Sequence, residues 1–216
     1  MTPNQFVTSL AGLTFPNAFN PYSARCEQCD RSDAPSRRRA ALLAILNAAA
    51  HCEVDSLWIG RDLGYRGGRR TGLALTDDMH VQAHLDRWRA KGARPTKGQP
   101  IAERTAAYIW QVLDQIDTPV FLWNVFPLHP HEADDPFTNR SHNAVERREG
   151  EAVLAALIDL LRPNRIIAIG NDAAKSAKRI AADAQCITVR HPSYGGQSQF
   201  LKQIADAYEL INSRLF

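Results

Sequence analysis

Four short apolar runs constrain this chain more than any other feature. They are "SLWIG" (56–60), "PVFLWNVF" (119–126), "NRIIAIG" (164–170) and "CITVR" (186–190). Each is nearly continuous in apolar residues, the pattern of strands buried on both faces. Segments with helical spacing lie around and between them: 36–51 behind the capping Ser36, 102–116, 149–161, 171–184 opened by Asn171 or Asp172, and 198–215. Strands alternating with helices predict an α/β fold, a four-stranded parallel sheet covered on both faces. With 216 residues, 44% of them hydrophobic, the chain can bury one sizeable core, so 1–216 reads as a single domain. Residues 1–35, rich in Pro, Asn, Ser and Asp, read as an irregular lead-in packed around it. Residues 61–72 and 129–143 read as loops.

Open parallel sheets bind ligands outside the carboxyl ends of their strands. The unusual residues of this chain fall there: after Gly60, at Asn124, after Gly170 and at His191. "RHPSYGGQ" (190–197) follows the last apolar run. A turn there needs only the proline and the glycine pair. The histidine and serine ask for more.

Charge says less. The net charge of +3 is mild, but Arg66, Arg69 and Arg70 cluster in the glycine-rich "GYRGGRRTG" (64–72). Exposed glycine backbone among arginines can approach phosphates closely. The segment has neither the Gly-Lys-Ser/Thr of a P-loop nor a dinucleotide fingerprint. "ERRE" (146–149) reads as a solvated face. No apolar stretch is long enough to span a bilayer, and the N-terminus has no basic start followed by an apolar core. The expectation is a soluble cytoplasmic protein in which Cys26, Cys29, Cys52 and Cys186 are free thiols. Nothing demands more than a monomer.

Three residues carry candidate chemistry. Asp62, two residues past a strand end, can orient or deprotonate a water, or simply serve a turn. Asn124 sits among apolar neighbours, where an unpaired amide costs roughly 1–3 kcal/mol. It must bond either to a neighbouring loop or to a ligand, and an amide suits the edge of a nucleobase. A neutral His191 can donate to an oxygen that gains negative charge, or be satisfied by backbone at a strand end. Ser193 with Gly195 and Gly196 can offer a hydroxyl and amides to a phosphate, or form an ordinary turn.

In order, "WIGRDLGYRGGRRTGLALTD", "VFLWNVFPLHP", "RIIAIGNDA" and "VRHPSYGG" resemble the uracil-DNA glycosylase superfamily over about residues 56–200. The resemblance implies a three-layer α/β/α sandwich and a base-excising enzyme acting on DNA. By position it makes Asp62 the water-activating carboxylate, with Gly60 and Arg61 in the same loop. It makes Asn124 the reader of the flipped base, and His191 the group facing a carbonyl oxygen of the leaving base. Ser193 contacts backbone phosphate, and Tyr194, Gly195 and Gly196 form the loop that wedges into the duplex. With DNA as partner, Arg66, Arg69 and Arg70, read above from the loop itself, are expected to face its phosphates. Gly64 stands where the main branch has a tyrosine that excludes the thymine methyl. Leu75 stands where a phenylalanine stacks on the base, and Leu63 where proline is usual. Gly64 implies a roomier pocket, and Leu75, which offers no π face, implies weaker or broader base recognition.

Some relatives hold a [4Fe–4S] cluster through a Cys-x-x-Cys like "CEQC" (26–29). No cysteine lies between Arg61 and Gln185, so the expectation is no cluster and no cofactor. "HPHEADD" (129–135) is read as a structural loop rather than a metal site. No lysine is expected beside the scissile bond, so the expected enzyme is monofunctional, leaving an abasic site. The rival readings are a DNA- or base-binding module without turnover and, more distantly, an α/β protein acting on free nucleosides.

Overall fold

The computed structural model describes residues 1–181 and 184–210. The expected helices 171–184 and 198–215 reach partly outside these residues. Four strands form a wholly parallel sheet: β2 (Ser56–Asp62), β3 (Val120–Phe126), β5 (Arg165–Ile169) and β6 (Cys186–Val189), in the order β3-β2-β5-β6. The expected four-stranded parallel α/β fold is therefore present. A small antiparallel pair, β1 (Ala18–Phe19) with β4 (His129–Pro130), lies apart from it.

Side-chain alternation along each strand builds the three layers. On β2, Leu57 and Ile59 face one core and Trp58 faces the other. On β3, Phe121, Trp123 and Val125 share the first side, while Val120 and Leu122 share the second. The first core is closed by α1 (Pro3–Ala11), α2 (Ala34–Ala49), α6 (Ala144–Leu161) and α7 (Asn171–Ile180). The second is closed by α5 (Arg104–Leu113) and α8 (Gln197–Ala207). Each fully buried Leu, Ile, Val or Phe adds about 1.5–3 kcal/mol of favourable transfer, so both layers are firmly anchored.

The first 35 residues depart from the expected irregular lead-in. Thr2 and Gln5 form a reciprocal capping box, Pro3 opens the helix, and Phe6, Val7 and Leu10 of α1 are buried in the first core. Two short helices also interrupt segments without an assigned helix: α3 (Gly68–Thr71) and α4 (Val81–Arg87).

The strand order fixes where a ligand can enter. From β2 the chain crosses one way to β3, then returns past β2 to β5. The crevice between the carboxyl ends of β2 and β5 is thus the topological switch point.

Candidate functional site

A cavity of about 600 Å³ opens at that crevice, lined among others by Gly60, Arg61, Asp62, Gly64, Leu75, Asn124, His191, Ser193 and Tyr194. Asp62, Asn124 and His191, distant in sequence, share it.

Asn124 is held by cross-strand register. It pairs with Gly60, where an added Cβ would lie 2.8 Å from Asn124 Nδ2 and 3.1 Å from Leu75 Cδ2. The absent side chain leaves room for the amide. Asn124 Nδ2 donates to the Asp62 carbonyl at 2.9 Å. That carbonyl needs a donor, so the amide orientation is determined by its partner. Its Oδ1 is then the free end, buried and without a partner among the described residues. Asn124 thus offers a ligand one acceptor.

The Asp62 side chain is nearly buried. Arg61 Nε donates to its Oδ2 at 2.7 Å, and His142 Nδ1 bonds its Oδ1. Arg61 also reaches Asp172 at 3.4 Å. A carboxylate has about four lone-pair positions, so two partners leave room for a water.

His191 has a defined tautomer. The Ser193 N–H donates to its Nδ1 at 3.1 Å. Nδ1 is therefore an acceptor, and in the neutral ring the proton sits on Nε2. Burial, then the charges of Arg61 and Arg190, push the imidazole pKa down to about 4. His191 is a neutral Nε2–H donor across the physiological range.

Two backbone outliers border the cavity. Leu75 holds φ of 54°, and its carbonyl accepts from Trp110 Nε1 at 3.2 Å. Tyr194 holds φ of 52° and is 99% exposed. The left-handed region is unfavourable for both residue types and recurs at functional sites. The Tyr194 loop is compact: Gly196 N–H donates to the Ser193 carbonyl, and a Cβ at Gly196 would lie 2.2 Å from the His191 carbonyl oxygen.

The arginine cluster divides. Arg66 is exposed, its Nε donating to the Tyr65 hydroxyl at 2.7 Å. Arg69 and Arg70 are buried, contrary to the expectation that they face phosphates. Arg69 lies between the rings of Phe19 and Phe137, 4.2 and 4.8 Å from their centroids. Arg70 pairs with the buried carboxylate of Asp78 at 2.7 Å. The α3 turn rolls both inward, where π faces and a carboxylate compensate their lost hydration. Cations around the cavity come instead from Arg61, Arg140, Lys175 and Arg190. Lys175, exposed on α7, lines the same cavity.

His142, Arg140, Asn139 and Glu103 were not legible as site residues. His142 precedes Asn143, which caps α6 together with Glu146 in a capping box. The Asn-x-x-Glu signature sets the start of α6 at 144 rather than 149, and puts His142 at the helix head beside Asp62. Arg140 braces this corner through an ion pair to Glu146 at 2.6 Å. In "HPHEADD", His129 is wholly buried, donating from Nε2 to the Thr138 carbonyl at 2.8 Å.

Cys26 and Cys29 sit before α2, Cys52 follows that helix, and Cys186 belongs to β6. Among the described residues no three His, Cys, Asp or Glu side chains converge as metal ligands. The donors do not fit a four-thiolate cluster. No described helix is long and apolar enough to cross a membrane.

A parallel α/β/α sandwich with one polar hollow at its switch point is a ligand-binding architecture, here with an acceptor, a donor and a clamped carboxylate converging. The family follows from the chain itself: the profile of the Uracil DNA glycosylase superfamily matches residues 52–212, and the chain belongs to that superfamily. The crystal structure of wild-type SMUG2 from Pedobacter heparinus superposes with a TM-score of 0.66, covering 97% of each chain at 14% identity. At that identity the likeness shows a shared fold. No curated protein sequence matches.

Proposed function

We propose that this chain is a monofunctional DNA glycosylase that swings uracil out of DNA and hydrolyses its bond to the sugar; other deaminated bases belong to the same chemistry. One observation carries the reading. The buried Asn124 Oδ1, without a partner among the described residues, shares a cavity with the Asp62 carboxylate and the neutral His191 donor. An orphan acceptor calls for an N–H on the ligand, and the imide N3–H of uracil supplies one.

The division of labour follows from charge. Breaking the bond builds positive charge on the sugar and negative charge on the departing base. The Asp62 anion favours the first and orients a water. The His191 Nε2–H meets the second at a base carbonyl without first losing a proton. Removing one such donor typically costs ~10²–10³ in rate. Extruding the base costs a few kcal/mol, and the exposed Tyr194 is suited to fill the gap left in the stack. Arg61, Arg66, Lys175, Arg190 and Ser193, with the amide of Gly195, are the proposed phosphate contacts; the Gly196 N–H is taken by the Ser193 carbonyl.

The test is incubation with a uracil-containing oligonucleotide, single- and double-stranded, with and without alkali. Cutting only after alkali supports hydrolysis to an abasic site. Cutting without alkali assigns strand cleavage to the enzyme and directs attention to Lys175. Tight, salt-sensitive binding with no cutting selects a DNA-binding module instead.

A further inference from the structure

Glu103 occupies the helix-capping position of α5, yet its side chain makes no cap hydrogen bond. It turns into the cavity. Its two carboxyl oxygens fill the space over two glycines: a Cβ at Gly64 would lie 2.4 Å from Oε1, and one at Gly67 would lie 2.2 Å from Oε2. The wall left bare by Gly64 is therefore closed by a carboxyl from a different segment. The backbone N–H of Glu103 donates to Asp77 Oδ2 at 2.6 Å. Among the described residues its carboxyl has no hydrogen-bond partner. A largely enclosed carboxyl beside a ligand cavity, with no internal partner, is placed to bond the ligand.

We propose that Glu103 is a specificity-determining residue of this cavity: its protonated carboxyl donates a hydrogen bond to an exocyclic carbonyl oxygen of the bound base, and its ionised form repels that oxygen. The proposal rests on the reading of the site as a uracil pocket. Burial, then the charge of Asp77, raise the Glu103 pKa to about 7, with Arg66 opposing. Both forms are thus populated near neutrality. The groups facing the carboxyl are Arg66 from the loop after β2 and Asp77 from the turn before α4. The other charged and titratable groups lining the cavity are Arg61, Asp62, Arg140, Asp172, Lys175, Arg190 and His191. His191 is already neutral over the relevant range, so its titration does not imitate that of Glu103.

Two measurements, each on the wild type, Glu103→Gln and Glu103→Ala, test this from pH 5.5 to 8.5. One is single-turnover release of uracil from an oligonucleotide. The other is binding, by fluorescence anisotropy, of the same oligonucleotide carrying 2′-fluoro-2′-deoxyuridine, whose fluorine opposes positive charge on the sugar and blocks cleavage. For the wild type both should fall about tenfold between pH 6 and 8, as the protonated fraction falls from roughly nine-tenths to one-tenth. Glu103→Gln keeps a donor at every pH and should flatten both profiles near the acid-side level. Glu103→Ala should be flat and lower. A Glu103→Gln profile that follows the wild-type fall overturns the proposal, as does a Glu103→Ala variant that matches the wild type at pH 6. Wild-type binding that weakens with pH and is flattened by Glu103→Gln, without release at any pH, supports Glu103 as reader and removes the hydrolase reading. Neither binding nor release at any pH overturns both.

Discussion

Gly60→Ala is a one-methyl change that should disable the site while leaving every side chain that meets the base chemically intact. The new methyl would lie 2.8 Å from Asn124 Nδ2 and 3.1 Å from Leu75 Cδ2. Comfortable contacts need about 3.5 Å or more, so the amide must retreat by about 0.7 Å. It then loses its 2.9 Å bond to the Asp62 carbonyl and carries its orphan acceptor out of register. Stability should fall by about 1–3 kcal/mol, the usual range for overpacking. Activity should fall more, about 10–100-fold, because misplacement on the 1 Å scale costs on the order of 10² in rate. The assay is single-turnover uracil release by Gly60→Ala, by Asn124→Ala and by the double variant. If Gly60→Ala acts through the amide, it should cost nothing further in the Asn124→Ala background. A Gly60→Ala enzyme with full activity, or one whose loss is undiminished without the amide, would refute this chain of reasoning.

Other outcomes follow from the same geometry. Asp62→Asn should lower release by ~10² or more by removing the anion, whereas His142→Ala should lower it less by loosening that anion; equal effects would show that His142 does more than orient. Tyr194→Ala should leave the melting temperature unchanged, because the ring is 99% exposed, yet weaken release from duplex more than from single strands; equal losses on both substrates would remove its wedge role. The raised Glu103 pKa also couples to stability. Between an unfolded value near 4.5 and a folded value of about 7, the folded state binds the extra proton, so wild-type stability falls as pH rises through that window and levels off above it. Glu103→Gln should therefore melt several degrees above the wild type at pH 8, up to about 3 kcal/mol of stabilisation, with the gap closing near pH 4. A gap that does not vary with pH would place the carboxyl in water.

The sheet was legible because β2, β3 and β5 are buried on both faces and so are almost wholly apolar; "NRIIAIG" and "PVFLWNVF" admit few other readings. That Asp62, Asn124 and His191 share one cavity was legible because polar residues at strand ends stand out against such runs. Arg69 and Arg70 were misread because a charge run carries no sign of which side a turn faces; only the partners Phe19, Phe137 and Asp78 reveal it. The α1 helix was readable in principle from "TPNQ", a capping box with proline at its first turn. Glu103 and His142 differ in kind. Both sit at helix heads, where acids and polar residues are ordinary, and only the meeting of distant segments turns Glu103 into the cavity and His142 onto the Asp62 carboxylate.

The most direct test of the central claim is mass-spectrometric detection of free uracil from a uracil-containing oligonucleotide, alongside the abasic strand, with Asp62→Ala as control. The account predicts uracil and abasic site in equal amounts from the wild type, and a loss of at least ~10² in rate from the variant. An oligonucleotide left intact by the wild type, or equal release by the variant, would contradict it.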